Sequence, residues 1–288
     1  MAPLVRLLRP THWTKNLTAF AGVIFGGRLA EPWAIVVDFA VFVILSLASS
    51  AVYVMNDICD VEFDRAHPTK KDRPIASGEV SLAGAKTLAW VLAILALVSS
   101  FLLGLGTGLC VVVYLAMNVA YSTRLKHVLL IDVMCIATGF ALRVLAGVYA
   151  LGDLPTAWIV LCVFFLALFL GFGKRRGELE QQTSDAQARP VLYGYDRSLL
   201  DSLLDGSATT AILTYALFTA TSGKNPSLIV TVPIVYYAIT YYRRLLQTPG
   251  QGTEPEMILL RDRVIQVCVI AWLASFVVIS YGNLHFFR

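Results

Sequence analysis

Nine apolar segments, each near the length a helix needs to cross a bilayer, constrain this chain more than anything else in it. They lie near 15–30, 34–55, 82–103, 106–122, 129–150, 155–173, 201–221, 227–246 and 264–283. About 20 apolar residues in a helix reach across the hydrocarbon core, and in lipid every backbone polar group must find its partner inside the chain. The first segment is short and carries Gly22, Gly26 and Gly27; the fourth is also short. Composition points the same way: 57% of the 288 residues are hydrophobic, 15% are charged and the mean hydropathy is +0.70. Soluble domains carry about 25% charged residues. The expectation is an all-α polytopic membrane protein, one transmembrane domain over 1–288 built as a bundle of nine helices.

Charge then sets an orientation. With the spans laid out alternately, 18 of the 23 basic residues fall on one side, and only Arg28, Lys224 and Arg288 fall on the other. The excess of Lys and Arg marks the cytoplasmic face. An odd number of spans therefore places the N-terminus inside and the C-terminus outside, in a plasma (inner) membrane. The inner connections, 56–81, 121–131 and 174–200, are longer than the outer ones and hold most of the polar chemistry. The N-terminal stretch with Arg6, Arg9, His12, Trp13 and Lys15 reads as an interfacial segment entering the first span, not as a cleaved signal. Five cysteines without paired spacing argue against a disulfide framework, and the four histidines form no metal-ligand pattern. The spacings Gly22–Gly26 and Gly104–Gly108 suit close helix packing within a protomer or between protomers, so a homo-oligomer stays open. No nucleic-acid partner is expected.

The most chemical stretch is NDICDVEFDRAHPTKKDRPIASG, Asn56 to Gly78, at the inner end of the second apolar segment. If the helix continues through it, spacings of three and four residues place Asp57, Asp60 and Asp64 on one face. Oxygen ligands grouped in this way suit Mg²⁺, which binds carboxylates together with substrate phosphates. Arg65, Lys70, Lys71 and Arg73 follow at once and are suited to phosphate oxygens. A second inner connection, YSTRLKHVLLID from Tyr121 to Asp132, repeats the plan of helix end, basic residues and carboxylate, with only Asp132 answering the earlier aspartates.

Asn56, Asp57, Asp60 and Asp64 reproduce the NDxxDxxxD motif, and in this the chain resembles the UbiA superfamily of intramembrane prenyltransferases. The resemblance implies nine transmembrane helices around a central cavity open to the cytoplasm, with diphosphate bound through Mg²⁺ at that motif. The second motif usual in prenyl-diphosphate users, DxxxD, is incomplete, because Ile136 stands four residues after Asp132. RPTHWTKN (Arg9 to Asn16), HPTKKDRPIASG (His67 to Gly78), YSTRLKH (Tyr121 to His127), GFALRVLAG (Gly139 to Gly147), GKRRGEL (Gly173 to Leu179) and PEMILLRDR (Pro255 to Arg263) look instead like the decaprenyl-phosphate phosphoribosyltransferase branch. That likeness implies phosphoribosyl diphosphate as donor, a polyprenyl phosphate as acceptor, and a product used for arabinose donors in cell-envelope polysaccharide synthesis.

The residues suit such chemistry. Departure of diphosphate from an anomeric carbon develops oxocarbenium character and leaves anionic charge that Mg²⁺ on Asp57, Asp60 and Asp64 can neutralise. A lipid monophosphate is already ionised near neutral pH and needs no strong general base. Asn56 can orient a ligand. Lys15, Arg65, Lys70, Arg73, Lys126, Arg143, Lys174 and Arg175 are the candidate phosphate contacts. Tyr121 is either a ribose or phosphate contact or an interfacial tyrosine, and Asp132 is a further substrate-binding candidate. Arg143 falls about three turns into a span, roughly 16 Å beyond Asp132, and is either a substrate contact or half of an intramembrane ion pair. Arg176 reads mainly as a topology signal, and Asp262 with Arg263 as a helix cap or surface pair. Two other readings remain: a UbiA-type prenyltransferase joining a prenyl diphosphate to an aromatic acceptor, and a transporter using the aspartates for ion coupling. The aspartates sit at a helix end, whereas transport sites lie near the midplane.

Overall fold

The computed structural model describes residues 3–68, 70–181, 190–223, 225–247, 258, 261–282 and 284–287, and these contain only helices, turns and irregular backbone. The chain forms two compact units, Met1–Lys126 with Leu142–Pro155, and His127–Ala141 with Thr156–Arg288.

In the first unit, α1 (Pro3–Leu8) leads into a 3₁₀ helix (Pro10–Phe20) and α2 (Ala21–Gly26). The single helix expected over 15–30 is thus two pieces. Gly27 ends the second of them at φ 75°, and the buried Val23 N–H in the first turn of α2 is taken by Asp38 Oδ2 at 3.1 Å. Eleven 3₁₀ residues at about 2.0 Å and six α-helical ones at about 1.5 Å sum to about 31 Å, so the composite still matches a bilayer core of about 30 Å. α3 (Pro32–Cys59) opens with proline at its first position, where the missing N–H costs nothing. α4 (Val61–Ala66) follows a break at Asp60. α5 (Leu82–Leu103) is capped by Ser81 Oγ, which accepts from the Gly84 N–H at 3.1 Å, and it ends at Gly104, whose φ of 145° is open to glycine and strained for a residue with a side chain. α6 (Leu105–Thr123) and the second part of α7 (Ile131–Ala150) complete the unit.

Small residues let the backbones touch here. A Cβ on Gly147 would lie 2.2 Å from the Ala19 carbonyl oxygen, and one on Gly22 would lie 3.0 Å from the Gly147 backbone. The Gly22 spacing noted in the sequence therefore serves packing within this unit. Gly147→Ala is expected to destabilise the protein by about 1–3 kcal/mol, the usual cost of forcing atoms into a filled contact. An unchanged thermal midpoint in detergent would refute that packing.

The second unit holds the start of α7, α8 (Ala157–Gln181), α9 (Arg197–Thr221), α10 (Val232–Leu245) and α11 (Arg263–Tyr281). Asp196 caps α9 through the Leu199 N–H, and Asp262 caps α11 through the Ile265 N–H at 2.9 Å, which is the cap reading of Asp262. A core of Phe169, Phe172, Leu200, Leu204 and Tyr242 joins α8, α9 and α10. α8 runs on to Gln181, so the first part of the expected 174–200 loop is helix; 182–189, with Arg189, lie outside the described residues, as do Lys224 and most of 255–263.

Six helices among the described residues are long and apolar enough to cross a membrane: α3, α5, α6, α7, α8 and α11. α9 has the length, 25 residues, but carries Asp201 and Asp205. The segment expected at 227–246 is again composite, a 3₁₀ helix (Pro226–Thr231) running into α10. Each of the nine apolar segments is helical, but three depart from a single long apolar helix, where proline, glycine or aspartate interrupts the pattern.

Candidate active site

The Asn56–Gly78 stretch folds back on itself in the first unit. Its continuous-helix premise fails at Asp60, whose φ of −96° and ψ of 6° leave the helical region; Asp60 N–H closes α3 on the Asn56 carbonyl, and Asp64 N–H opens α4 on the Asp60 carbonyl. A small apolar core of Leu7 (α1), Val54 (α3), Val61 (α4), Ile75 and Ala85 (α5) then gathers these pieces. Ile75, 2% exposed, anchors the 70–78 segment and so returns its neighbour Arg73 to the aspartates. Leu7 does the same for α1, and Ser50 Oγ adds a hydrogen bond to the Leu8 carbonyl while receiving one from Trp13 Nε1.

Asp57 and Asp64 are buried, 3% and 1% exposed. Arg73 Nη1 bridges them, 3.2 Å from Asp57 Oδ1 and 2.7 Å from Asp64 Oδ2. Arg9 Nη2 also donates to Asp57 Oδ1. Asp64 Oδ1 is buried and has no hydrogen-bond partner among the described residues. A cavity of about 300 Å³ opens here, lined by Arg6, Arg9, His12, Asp57, Asp72, Arg73 and Pro74. Asp60 does not join the pair: it takes Lys126 Nζ at 3.0 Å and is more exposed. Among the described residues no group of three His, Cys, Asp or Glu is arranged to hold a metal. Asp57, which lines the cavity, and Asp64, joined to it through Arg73, nonetheless offer hard oxygen donors that fit Mg²⁺, which uses one or two carboxylates and fills its octahedron with waters and phosphate oxygens.

The remaining candidates separate. Asn56 Oδ1 receives the Ser122 hydroxyl, which fixes the amide at the end of α3. Arg65 lies at the surface, paired with Glu62 at 3.4 Å, and Lys70 lies over the Phe63 ring, 5.2 Å from its centre. Tyr121 is half-buried on α6 and Lys174 is exposed on α8. Lys15 is half-buried on the 3₁₀ helix. Next to it, Asn16 accepts from Arg143 Nε at 2.8 Å and donates to Ser46 and Ser49. Arg143 also donates to the Tyr114 hydroxyl at 2.9 Å and lies 4.7 Å from that ring. Both of these partners are neutral.

In the second unit Asp132, fully buried, is taken by Arg175 Nε at 2.8 Å and by the Tyr195 hydroxyl at 2.8 Å. The same phenol oxygen accepts the N–H of Leu130, a non-glycine residue at φ 68°. Burial, then the Asp132 carboxylate, pushes the Tyr195 phenol above its usual range and keeps it a donor. Arg175 further pairs with Glu178. Both Asp132 and Arg175, named as substrate contacts from the sequence, are thus engaged with each other. Arg176 is buried too, holding Asp201 at 2.8 Å and the Leu246 carbonyl, a tie between helices where a topology signal was expected. Sequence reading passed over Arg9 and Asn16 as site residues, although both belong to the RPTHWTKN segment it quoted. For Tyr195 it had no signal.

The described residues are helical, six of the helices are long and apolar enough to cross a membrane, and carboxylates paired with guanidinium groups stand at the end of one of them, as suits an integral membrane protein. The family model for the UbiA prenyltransferase family matches residues 16–259, and the chain belongs to that family and is an enzyme. The decaprenyl-phosphate phosphoribosyltransferase of Mycobacterium tuberculosis is 35% identical over 281 residues, 96% of this chain and 93% of that one. Its namesake in Corynebacterium glutamicum is 33% identical over 288 residues, covering 96% and 86%. The solved structure of a UbiA homolog from Archaeoglobus fulgidus bound to GPP and Mg²⁺ superposes with a TM-score of 0.74 over 96% of this chain and 99% of its own, at 20% identity, which shows the shared fold.

Proposed function

We propose that the protein transfers 5-phosphoribose from phosphoribosyl diphosphate to a polyprenyl monophosphate of decaprenyl type, releasing diphosphate, in a Mg²⁺-dependent reaction. The observation that carries this reading is the meeting of Asp57 and Asp64 on the one guanidinium of Arg73, with Asp57 and Arg73 lining an open cavity, in a chain a third identical to named phosphoribosyltransferases. Asp57 and Asp64 would hold the ion, Asp64 offering its unpartnered Oδ1; when bound, the ion supplies Lewis-acid neutralisation of the departing diphosphate. Arg73 and Arg9 add charge-assisted hydrogen bonds to phosphate oxygens. Asn56, fixed by Ser122, orients a donor oxygen, and Lys126 beside Asp60 adds positive charge at the same helix end. The acceptor's anionic phosphate needs no base from the protein. The site faces the cytoplasm by the distribution of basic residues, and the product feeds arabinose donors for cell-envelope polysaccharides.

The test is a direct assay of purified protein with radiolabelled phosphoribosyl diphosphate, a polyprenyl monophosphate and Mg²⁺. Label should pass into the organic phase only with Mg²⁺ and the lipid. Failure of transfer across several lipid lengths in a folded sample, with product formed from a prenyl diphosphate and an aromatic acid, would replace this reading.

A further inference from the structure

Arg9 holds an unusual position. Its backbone lies at φ 52° and ψ 61°, the left-handed region that a side-chain-bearing residue enters at a cost of about 1–3 kcal/mol and keeps only when its surroundings enforce it. Leu8 on one side is held through its carbonyl by Ser50, and Pro10 on the other starts the 3₁₀ helix. The guanidinium lies 5.2 Å from the centre of the Tyr53 ring, reaches Asp57, and borders the 300 Å³ cavity with a quarter of its side chain exposed. The fold thus spends backbone strain to bring one cation to one carboxylate at the mouth of an open space.

That carboxylate is oversupplied on one oxygen. Asp57 Oδ1 accepts from Arg9 Nη2 and from Arg73 Nη1, while the Oδ1 atom of Asp64, on the other side of Arg73, has no partner among the described residues. Removing one of two guanidinium groups from a shared oxygen costs less than removing a sole partner. The cation that leaves need not be stranded, because it borders a cavity it shares with Arg6 and Arg73 and there meets any anion that enters.

We propose that Arg9 is an exchangeable cation. It neutralises Asp57 while no divalent ion is bound, and it turns to the donor's phosphate oxygens once the ion takes the carboxylate. This rests on the Mg²⁺ site proposed above. Ion and Arg9 compete for Asp57, and Arg9 and the anion attract each other, so binding of the ion and of the anion must reinforce one another reciprocally.

The competition makes opposite signs in two binding measurements on the full-length protein in detergent. Mn²⁺ serves as the probe ion, titrated by electron paramagnetic resonance with no donor present; inorganic diphosphate serves as the anion, titrated at saturating Mn²⁺. Arg9→Gln should tighten Mn²⁺ binding about fivefold, the upper range of a partly exposed ion pair, because its rival is gone. It should weaken diphosphate binding about tenfold, the loss expected of one charge-assisted hydrogen bond. Arg9→Lys, which keeps the charge, should return both values toward the native ones. Weaker Mn²⁺ binding in Arg9→Gln, as a merely structural arginine would give, overturns the exchange, and so does an unchanged affinity for either probe. Asp57→Asn separates the two levels of argument. If it leaves Mn²⁺ binding intact, the metal site falls and the exchange with it. If it abolishes Mn²⁺ binding while Arg9→Gln fails to tighten it, the exchange alone falls.

Discussion

Asp57→Ala should reduce transfer by at least about a thousandfold while the protein remains folded, since the charge stabilisation a bound metal supplies is worth several kcal/mol and each 1.36 kcal/mol is a factor of about ten in rate. Asp57 is 3% exposed, lies in the last turn of α3 and accepts from both Arg9 and Arg73. Its loss removes a proposed metal ligand and at the same time releases Arg9 and leaves Arg73 with Asp64. Those cations stay near the cavity surface, so water can reach them and the folding cost is modest. Turnover and donor KM of the purified variant, beside its thermal unfolding curve, decide the matter. Activity within tenfold of the native enzyme at the same Mg²⁺ concentration would remove Asp57 from the reaction. Asp60→Ala should be clearly milder, because Asp60 is turned to Lys126 and is partly solvated, where an ion pair is worth about 1 kcal/mol or less.

Asp132→Ala is expected to act on stability first. Asp132 is fully buried and Arg175 is 2% exposed, and each supplies the other's charge. Deleting the carboxylate takes from the buried guanidinium the partner of its Nε, leaving the Glu178 contact at Nη1, and leaves the Tyr195 hydroxyl without that acceptor. Breaking a buried pair in this way costs about 3–5 kcal/mol. Replacing both members with apolar residues, Asp132→Leu with Arg175→Met, should recover much of that loss, since the desolvation of two charges disappears together. Unfolding of the single and double variants in detergent reads this directly. A single variant as stable as the native protein would show the pair to be free for substrate, as the sequence suggested.

The two cases show how differently the two carboxylate regions read. From the sequence, Asp57 and Asp132 look alike: each is an aspartate at a helix end with basic residues close by. In the fold Asp57 borders a cavity, whereas Asp132 is closed off by Arg175 and Tyr195. Tyr195 stands 63 residues from Asp132, and no local spacing announces a contact of that kind.

Membrane insertion, helical class and family were all determined by the sequence itself. Each rests on signals local in the chain: apolar runs long enough to cross lipid, a lopsided charge distribution, and aspartates at spacings of three and four. Lipid cannot satisfy backbone groups, so an apolar run of that length has one backbone solution. Only the tertiary structure decided which charges meet. The break at Asp60 turned Asp60 toward Lys126 and left Asp57 and Asp64 to share Arg73, and the burial of Leu7 and Ile75 in one small core drew Arg9 and Arg73 to the same carboxylate. Long side chains choose partners by the packing of distant segments, and that packing is a property of the whole unit, not of any stretch within it.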